Sequence, residues 1–319
     1  MESKRKVFLC TVALALACFV LSILLNSSDI YPSSQKVIPI FKRKNEDFLK
    51  LPEKDCSKNT PFLVILVTSR LDDVKARMAI RKTWGKERVI DDKLVVTYFL
   101  LGTNLETHDQ IIVITENILY NDIIQKDFLD TYNNLTLKTL MGLEWIHKFC
   151  PQSTFVMKTD SDMFVNPYYL IELLLKRNST TGLFTGAINM HAYPIRDPNS
   201  KWYVNEMEYP GQNYPPFCSG TGYVLSTDVA RQVHIVSKRV PFLKLEDVFV
   251  ALCLSELKIV PEELHSEPVF FASQVPFSPC RYMNIVTSHH NTPQQILLYW
   301  DGLERTMEEC LSSQDTLEY

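Results

Sequence analysis

The stretch Phe155-Val-Met-Lys-Thr-Asp-Ser-Asp162 reads as a short apolar strand that ends on two carboxylates one residue apart. The segments around it have a helical period. From Leu135 to Phe149, Leu137, Met141, Trp145 and Phe149 recur at four-residue spacing and give an amphipathic helix. Pro167 opens another helix through Leu175. Farther upstream, Phe62-Leu-Val-Ile-Leu-Val67 is a continuous apolar run between Pro61 and Thr68-Ser69, the pattern of a strand buried on both faces. Leu94 to Leu101 repeats that pattern, and Thr107 to Tyr120 reads as a helix. Asp72 is placed to cap a helix through Arg77-Met-Ala-Ile-Arg-Lys-Thr-Trp84, with Gly85 as its stop. Strands alternating with helices predict an α/β sandwich around a mostly parallel sheet. Ligands in such sheets bind at the carboxyl ends of strands, where Asp160 and Asp162 stand.

Two such carboxylates can reach a hard divalent cation through oxygen ligands, neutralise a diphosphate, or hold ribose hydroxyls. The bland reading of an Asp-x-Asp pair is a turn or a cap. The chain has no Walker A loop and no Rossmann glycine pattern, so a metal would have to do the work of a phosphate cradle. A second acidic pair, Glu246-Asp247, precedes the apolar Val248-Phe-Val-Ala-Leu252. It reads either as a helix N-terminus, where acids suit the dipole, or as a general base beside a metal site. Cys218-Ser-Gly-Thr-Gly-Tyr223 reads as a loop-to-strand junction whose glycines allow close backbone approach, and it does not fit a serine-hydrolase elbow. None of the seven histidines forms a His-Glu-x-x-His motif; His289 and His290 end an Ile285-Val-Thr strand, where one late metal ligand fits.

The chain has 319 residues, 46% of them hydrophobic, and a formal net charge of -4. That charge offers no basic surface for a polyanion and argues against nucleic acid as a partner. At the amino end, Lys4, Arg5 and Lys6 precede an uncharged run from Val7 to Leu25. Such a run spans roughly 28 Å as a helix, close to the hydrocarbon thickness of a bilayer. The basic cluster places residues 1–6 on the cytoplasmic side and the chain beyond Leu25 in the lumen. A cleaved signal peptide competes, because Ala13, Ala15 and Ala17 have small-residue spacing; they lie inside the run, however, and we read an uncleaved anchor over 7–25. Residues 26–55 carry Pro32, Pro39 and Pro52 without a sustained apolar period and read as a stem, leaving 56–319 as the folded domain. Of eight cysteines, Cys10 and Cys18 lie in the membrane run. The other six suggest disulfides in an oxidising compartment, and the spacing cannot choose among about fifteen pairings. Asn134-Leu-Thr and Asn178-Ser-Thr are glycosylation acceptors usable in the lumen, while Asn26-Ser-Ser lies against the membrane.

Five segments in order now carry a resemblance: Arg77 to Gly85, Asp127 to Thr139, Phe155 to Asp162, Tyr214 to Val224, and Leu245-Glu-Asp-Val248. From about Pro61 to His289 the chain resembles the β-1,3-galactosyltransferases and the wider β-1,3-glycosyltransferase family. The resemblance implies a single-pass type II Golgi membrane enzyme with a nucleotide-sugar transferase fold of type A, a Rossmann-like mixed sheet flanked by helices. It implies that Asp160 and Asp162 bind manganese and the UDP diphosphate, with His289 as the late metal ligand. It further implies Asp247 as catalytic base, Glu246 as the lesser candidate, and Arg77, Arg81 and Lys138 as donor-side cations towards UDP. Trp202, Tyr203 and Tyr223 are candidate flat faces for an acceptor sugar. Ala251 departs from the glycine usual in the family, which touches helix packing and no reactive group. The implied reaction is metal-dependent, inverting transfer of galactose from UDP-galactose to the 3-hydroxyl of a terminal N-acetylglucosamine, or N-acetylgalactosamine, on glycoprotein or glycolipid. Rival readings are a β-1,3-N-acetylglucosaminyltransferase using UDP-N-acetylglucosamine, a metal-dependent lumenal hydrolase, and a non-catalytic sugar-binding module.

Overall fold

The structure, a computed structural model, describes residues 48–315 apart from 55 and 105. The tail at 1–6, the anchor at 7–25, Asn26 and the stem up to residue 47 lie outside the described residues. Among the described residues, no helix is long and apolar enough to cross a membrane.

The elements in chain order are β1 (Phe48–Lys50), β2 (Leu63–Thr68), α1 (Val74–Lys82), β3 (Arg88–Ile90), β4 (Lys93–Thr103), α2 (Thr107–Tyr120) and β5 (Ile123–Leu129). Next come α3 (Leu135–Phe149), β6 (Phe155–Asp160), β7 (Phe164–Val165), α4 (Pro167–Lys176), β8 (Phe184–Asn189) and β9 (Phe217–Ser226). The chain continues through α5 (Thr227–Val236), α6 (Glu246–Glu256), α7 (Pro279–Met283), β10 (Thr287–Ser288) and α8 (Pro293–Asp315). The main sheet runs β1-β5-β4-β2-β6-β9-β8, with β3 on β4. Its four central strands are parallel, and β1, β3, β9 and the β9–β8 pair are antiparallel. The sheet is therefore mixed, with a parallel centre.

The continuous apolar run of β2 has the predicted reason. All six residues are buried, and they divide by alternation between two layers. Val64 and Leu66 face the layer holding Met141 and Trp145 of α3, whereas Leu63, Ile65 and Val67 face Ala79, Ile80 and Trp84. Helices α2 and α3 have the bounds read from the sequence. The start of α1 differs. Asp72 makes no cap; its carboxylate takes the Arg70 guanidinium at 3.0 and 2.7 Å, and the helix begins after Asp73. Gly85 does end that turn, since its N–H donates to the Ile80 carbonyl at 2.9 Å and a Cβ there would lie 2.3 Å from Ile80 Cγ2.

Two boundaries move. Residues 48–50, read as stem, form an edge strand antiparallel to β5 and so belong with the sheet. Phe48 drives this by packing edge-on against Phe149 at 5.9 Å under the Lys126 ammonium. The segment Cys218–Tyr223, read as a junction, lies wholly inside β9. One disulfide joins Cys56 to Cys150 across 94 residues of chain, Cys280 is also disulfide-bonded, and Cys218 and Cys253 are buried thiols. Closing a loop of that size constrains the unfolded chain by about 4–5 kcal/mol on the chain-entropy view. Asn178 is exposed just beyond α4, while Asn134 is half-buried and donates its Nδ2 to the Leu129 carbonyl at 2.7 Å.

Candidate active site

A cavity of about 720 Å³ opens at the carboxyl end of β6. The antiparallel β6–β9 pairing matters here, because it brings the amino-terminal half of β9 to the same edge: Lys158 lies opposite Tyr223 and Thr159 opposite Gly222. The cavity wall takes Asp160 and Asp162 from the β6 end, Gly220 from β9, Glu246 and Asp247 from the start of α6, and His289 and His290 from beyond β10. Its far wall comes from the excursion between β8 and β9, with Tyr193, Lys201 and Trp202. That excursion is tied down by Arg196, which donates to the carbonyls of Val204 and Tyr209 at 2.7 Å each and of Gly211 at 3.2 Å.

The helix N-terminus reading of Glu246-Asp247 holds, and the position is also one from which a base could act. The pair opens helix α6, and both side chains line the cavity. Their environments differ. Glu246 is buried; its Oε1 accepts from the Tyr223 hydroxyl at 2.6 Å and its Oε2 lies 3.4 Å from Lys158 Nζ. Asp247 is less enclosed, and its carboxylate is oriented by backbone alone: Gly220 N–H donates to Oδ2 at 3.0 Å and Val248 N–H to Oδ1 at 2.9 Å. Burial raises the Asp247 pKa above the ordinary carboxylate value, against the pull of those two N–H groups and of Lys158. A raised pKa makes it a stronger base than a solvated aspartate. Gly220 permits the approach, since a Cβ there would stand 3.1 Å from Glu246 Oε2 and 3.4 Å from Asp247 Oδ2.

Lys158 went unnoticed in the sequence as a functional residue. Its side chain is 2% exposed, and its ammonium donates to Asp160 Oδ1 at 2.7 Å and to the Gly220 carbonyl. Burial alone would lower its pKa, but Asp160, Glu246 and Asp247 outweigh that and raise it, so it is charged at neutral pH. The signal was present: a lysine inside an otherwise apolar buried strand must find a counter-charge.

The candidate metal ligands separate into two sets. Asp162, His289 and His290 bring one ligand atom each within 4.8 Å of one another. His289 Nε2 stands 3.1 Å from Asp162 Oδ2, while its Nδ1 is 3.0 Å from the Ala272 carbonyl. A carbonyl only accepts, so Nδ1 carries the proton and the Nε2 lone pair is turned towards a carboxylate. Such an arrangement fits a cation between them. A proton can also take that place: burial disfavours the imidazolium, yet the Asp162 hydrogen bond and charge raise the His289 pKa and lower that of Asp162. Asp160 is not gathered into this set. Its Oδ1 accepts from Lys158 and, at 2.6 Å, from Thr68 Oγ1, so its charge is already met by protein.

The donor-side cations stand elsewhere than expected. None of Arg77, Arg81 and Lys138 lines the cavity. Arg77 is fully buried and bonds Glu116 at 2.6 Å, Ser69 Oγ, and the carbonyls of Arg70 and Leu71. Arg81 bonds Asp122 and Glu116, each at 2.8 Å. Lys138 bonds the Ser69 carbonyl and Asp130, each at 2.6 Å. Their charges are met by protein partners, and Arg77 and Lys138 brace the loop that leaves β2. Asp73 in that loop accepts from Ser161 Oγ at 3.1 Å, which links it to the Asp160–Asp162 turn. Of the aromatic candidates, Trp202 is exposed on the cavity wall with Lys201 Nζ 4.5 Å from its ring. Tyr223 is corrected: it is buried against Glu246 and offers no face to a sugar. Tyr203 lies outside the cavity lining, under the Lys244 ammonium.

A parallel sheet centre with carboxylates and imidazoles converging at one strand end defines an α/β enzyme of Rossmann-like architecture. Comparison with known proteins makes this specific. The family model described as galactosyltransferase matches residues 75–265. The chain is 56% identical over 270 residues to beta-1,3-galactosyltransferase 5 of Mus musculus, covering 85% of this chain and 88% of that protein. It is 52% identical over 307 residues to beta-1,3-galactosyltransferase 5 of Homo sapiens, covering 96% and 97%. It is 43% identical over 266 residues to beta-1,3-galactosyltransferase 2 of Homo sapiens, covering 82% and 63%. The chain belongs to the galactosyltransferase family and is a glycosyltransferase.

Proposed function

We propose that the chain transfers galactose from UDP-galactose, with inversion, to the 3-hydroxyl of a terminal N-acetylglucosamine, forming a β-1,3 linkage, and that it does so as a type II Golgi membrane enzyme. The names of its relatives support galactose and the linkage. The observation that carries the mechanism is the Asp247 carboxylate, held by two backbone N–H groups and facing the same cavity as Asp162 and His289. Asp247 takes the proton of the acceptor hydroxyl as that oxygen attacks the anomeric carbon. Asp162 and His289 would hold a manganese ion, which when bound supplies Lewis-acid stabilisation of the departing diphosphate. Asp160, fixed by Lys158 and Thr68, faces the cavity as an acceptor for donor hydroxyls. Trp202 offers the acceptor sugar a flat apolar face. A single displacement needs no covalent nucleophile.

The test is a turnover assay on the full chain with UDP-galactose or UDP-N-acetylglucosamine, against N-acetylglucosamine- and N-acetylgalactosamine-ended acceptors, with manganese or EDTA. Asp247→Asn is expected to keep UDP and manganese binding and to lose at least about a hundredfold in turnover, the scale of general-base catalysis. Turnover near the wild-type level in that variant would refute the base assignment. Consumption of UDP-N-acetylglucosamine in preference would refute the donor.

A further inference from the structure

We propose that the far wall of the cavity is a subsite for an anionic substituent on the acceptor saccharide, a sulfate ester or a sialic acid carboxylate, with the Lys201 ammonium as its partner. The proposal rests on the transfer reading above and deepens it by giving the acceptor a charge.

Charge is segregated within the cavity. Asp160, Asp162, Glu246 and Asp247 enter from the end of β6 and the start of α6, whereas Lys201 belongs to the excursion between β8 and β9. Among the described residues, no carboxylate pairs with that ammonium; it lies 4.5 Å from the Trp202 ring and 6.0 Å from the Tyr132 ring. An ammonium beside aromatic faces keeps its charge, and its three donors are not used up by them. Lys244 also lines the cavity, but its Nζ lies 3.4 Å from Glu208 Oε1, which takes up its charge. Lys201 is therefore the cation on this wall that an incoming anion can pair with.

The wall is braced before any ligand arrives. The N–H groups of Trp202 and Tyr203 donate to Ser200 Oγ at 3.2 Å and to the Ser200 carbonyl at 3.0 Å, and Val204 N–H donates to the Ile195 carbonyl at 3.0 Å. Arg196 ties the same segment to three further carbonyls. A recognition residue on a pre-ordered segment loses less freedom on binding.

Tyr132 sets the scale. Its ring faces Lys201, while its phenol, raised in pKa chiefly by burial, also registers the charges of Asp247 and Asp160. One aromatic side chain thus stands between the ammonium and the proposed base, which puts the anion on the reacting sugar or on its neighbour.

The opposed charges also orient the acceptor. Its anion is repelled by the inner carboxylates and drawn to Lys201, so its uncharged hydroxyl end is the one presented to Asp247. Trp202, on the same wall, meets the apolar face of the sugar.

The experiment measures kcat/KM of the full chain with UDP-galactose on four acceptors ending in N-acetylglucosamine: neutral, 6-sulfated, 6-amino-6-deoxy, and one whose second sugar carries sialic acid. Wild type is expected to prefer at least one anionic acceptor over the neutral one by about threefold or more at low salt, with the ratio shrinking towards one near about 0.5 M salt. The amino acceptor should fall below the neutral one. Lys201→Gln should bring the anionic-to-neutral ratio close to one, and Lys201→Arg should restore it. Which anionic acceptor is preferred separates the two sources of the charge. No anionic preference in wild type, a preferred amino acceptor, or a ratio unmoved in Lys201→Gln would overturn the subsite while leaving the transfer reading standing. A higher KM for UDP-galactose in Lys201→Gln with the acceptor ratio intact would assign the ammonium to the donor and overturn it too. Failure of wild type to transfer galactose to any of the four would overturn both.

Discussion

Replacing Lys158 with methionine tests whether one buried ammonium holds the acidic half of the site together. Methionine fills nearly the same volume in β6, so the change removes charge and leaves little cavity. In the native protein that ammonium donates to Asp160 at 2.7 Å and to the Gly220 carbonyl, and lies 3.4 Å from Glu246. Glu246 is buried, so without Lys158 its charge stands uncompensated in a poorly solvating interior. Removing one partner of a buried ion pair costs about 3–5 kcal/mol. For a unit of this size each kcal/mol lowers Tm by roughly 2–4 °C, so the variant should melt about 6–20 °C below wild type. Adding Glu246→Gln removes the stranded charge and leaves an amide oxygen to accept from Tyr223. The double variant should therefore be more stable than Lys158→Met alone by at least about 1 kcal/mol, a coupling that distant sites do not show. Thermal and urea denaturation of the four proteins at neutral pH reads this directly. A single variant melting within about 2 °C of wild type, or a double variant whose loss is the sum of the singles, would refute the reasoning.

Two further outcomes concern other parts of the molecule. Gly220→Ala places a methyl 3.1 Å from Glu246 Oε2 and 3.4 Å from Asp247 Oδ2, and Glu246 is pinned by Tyr223. Turnover should fall about tenfold or more with the donor KM little altered and the fold retained, as expected when a reacting group is displaced by a fraction of an ångström; unchanged turnover would count against Asp247 as the base. On helix α5, burial lowers the His234 pKa from 6.5 to about 4, reinforced by Lys238, His147 and Lys148 and opposed by Glu144. The folded state thus prefers the neutral ring, and its contribution is complete above about pH 6.5 and lost progressively towards pH 4, up to about 3 kcal/mol. Urea unfolding between pH 4 and 7 should show that loss in wild type and a flatter profile in His234→Leu; parallel profiles would reject it.

The elements legible in the sequence are those whose burial is set by one strong pattern. The run 62–67 announced a central strand because both of its faces are covered, and the four-residue spacing announced α3 because Met141 and Trp145 of that stripe are buried against the sheet, although Leu137 is exposed. Edge pieces were less legible. Phe48–Lys50 is too short to alternate, and what holds it is pairing with β5 and the contact of Phe48 with Phe149, both distant in the chain. At the site, Asp160, Asp162, Glu246, Asp247 and His289 could be singled out by type and position, and all five line the cavity. Arg77, Arg81 and Lys138 could be singled out as cations in motifs, yet sequence holds no sign of where a guanidinium turns. Their partners Glu116, Asp122 and Asp130 lie on other elements, and only folding brings them together. Lys158 is the converse case. Its meaning depends on Tyr223 and Glu246, which reach it through the β6–β9 register and the start of α6.

The charge distribution supplies an argument for the cation that does not depend on kinship. Asp160, Asp162, Glu246 and Asp247 all line one cavity, and Lys158 is the ammonium seated among them. Lys201 and Lys244 also line it, but Lys201 is drawn towards the rings of Trp202 and Tyr132 and Lys244 towards Glu208 and Tyr203. Four carboxylates against the three ammonium groups of Lys158, Lys201 and Lys244 leave a negative excess, and it is concentrated at the inner end, where Lys158 is the ammonium in contact with them. An anion entering that field is repelled unless positive charge enters with it. The inner part of the site divides this excess by position: Lys158 compensates Asp160 and Glu246, Asp247 is left to the neutral N–H groups of Gly220 and Val248, and Asp162 faces His289. The proposed base is thereby kept free of a cationic partner in direct contact, which preserves its affinity for a proton. The Asp162 charge lies beside two imidazoles, which is where the proposed divalent ion would find ligands.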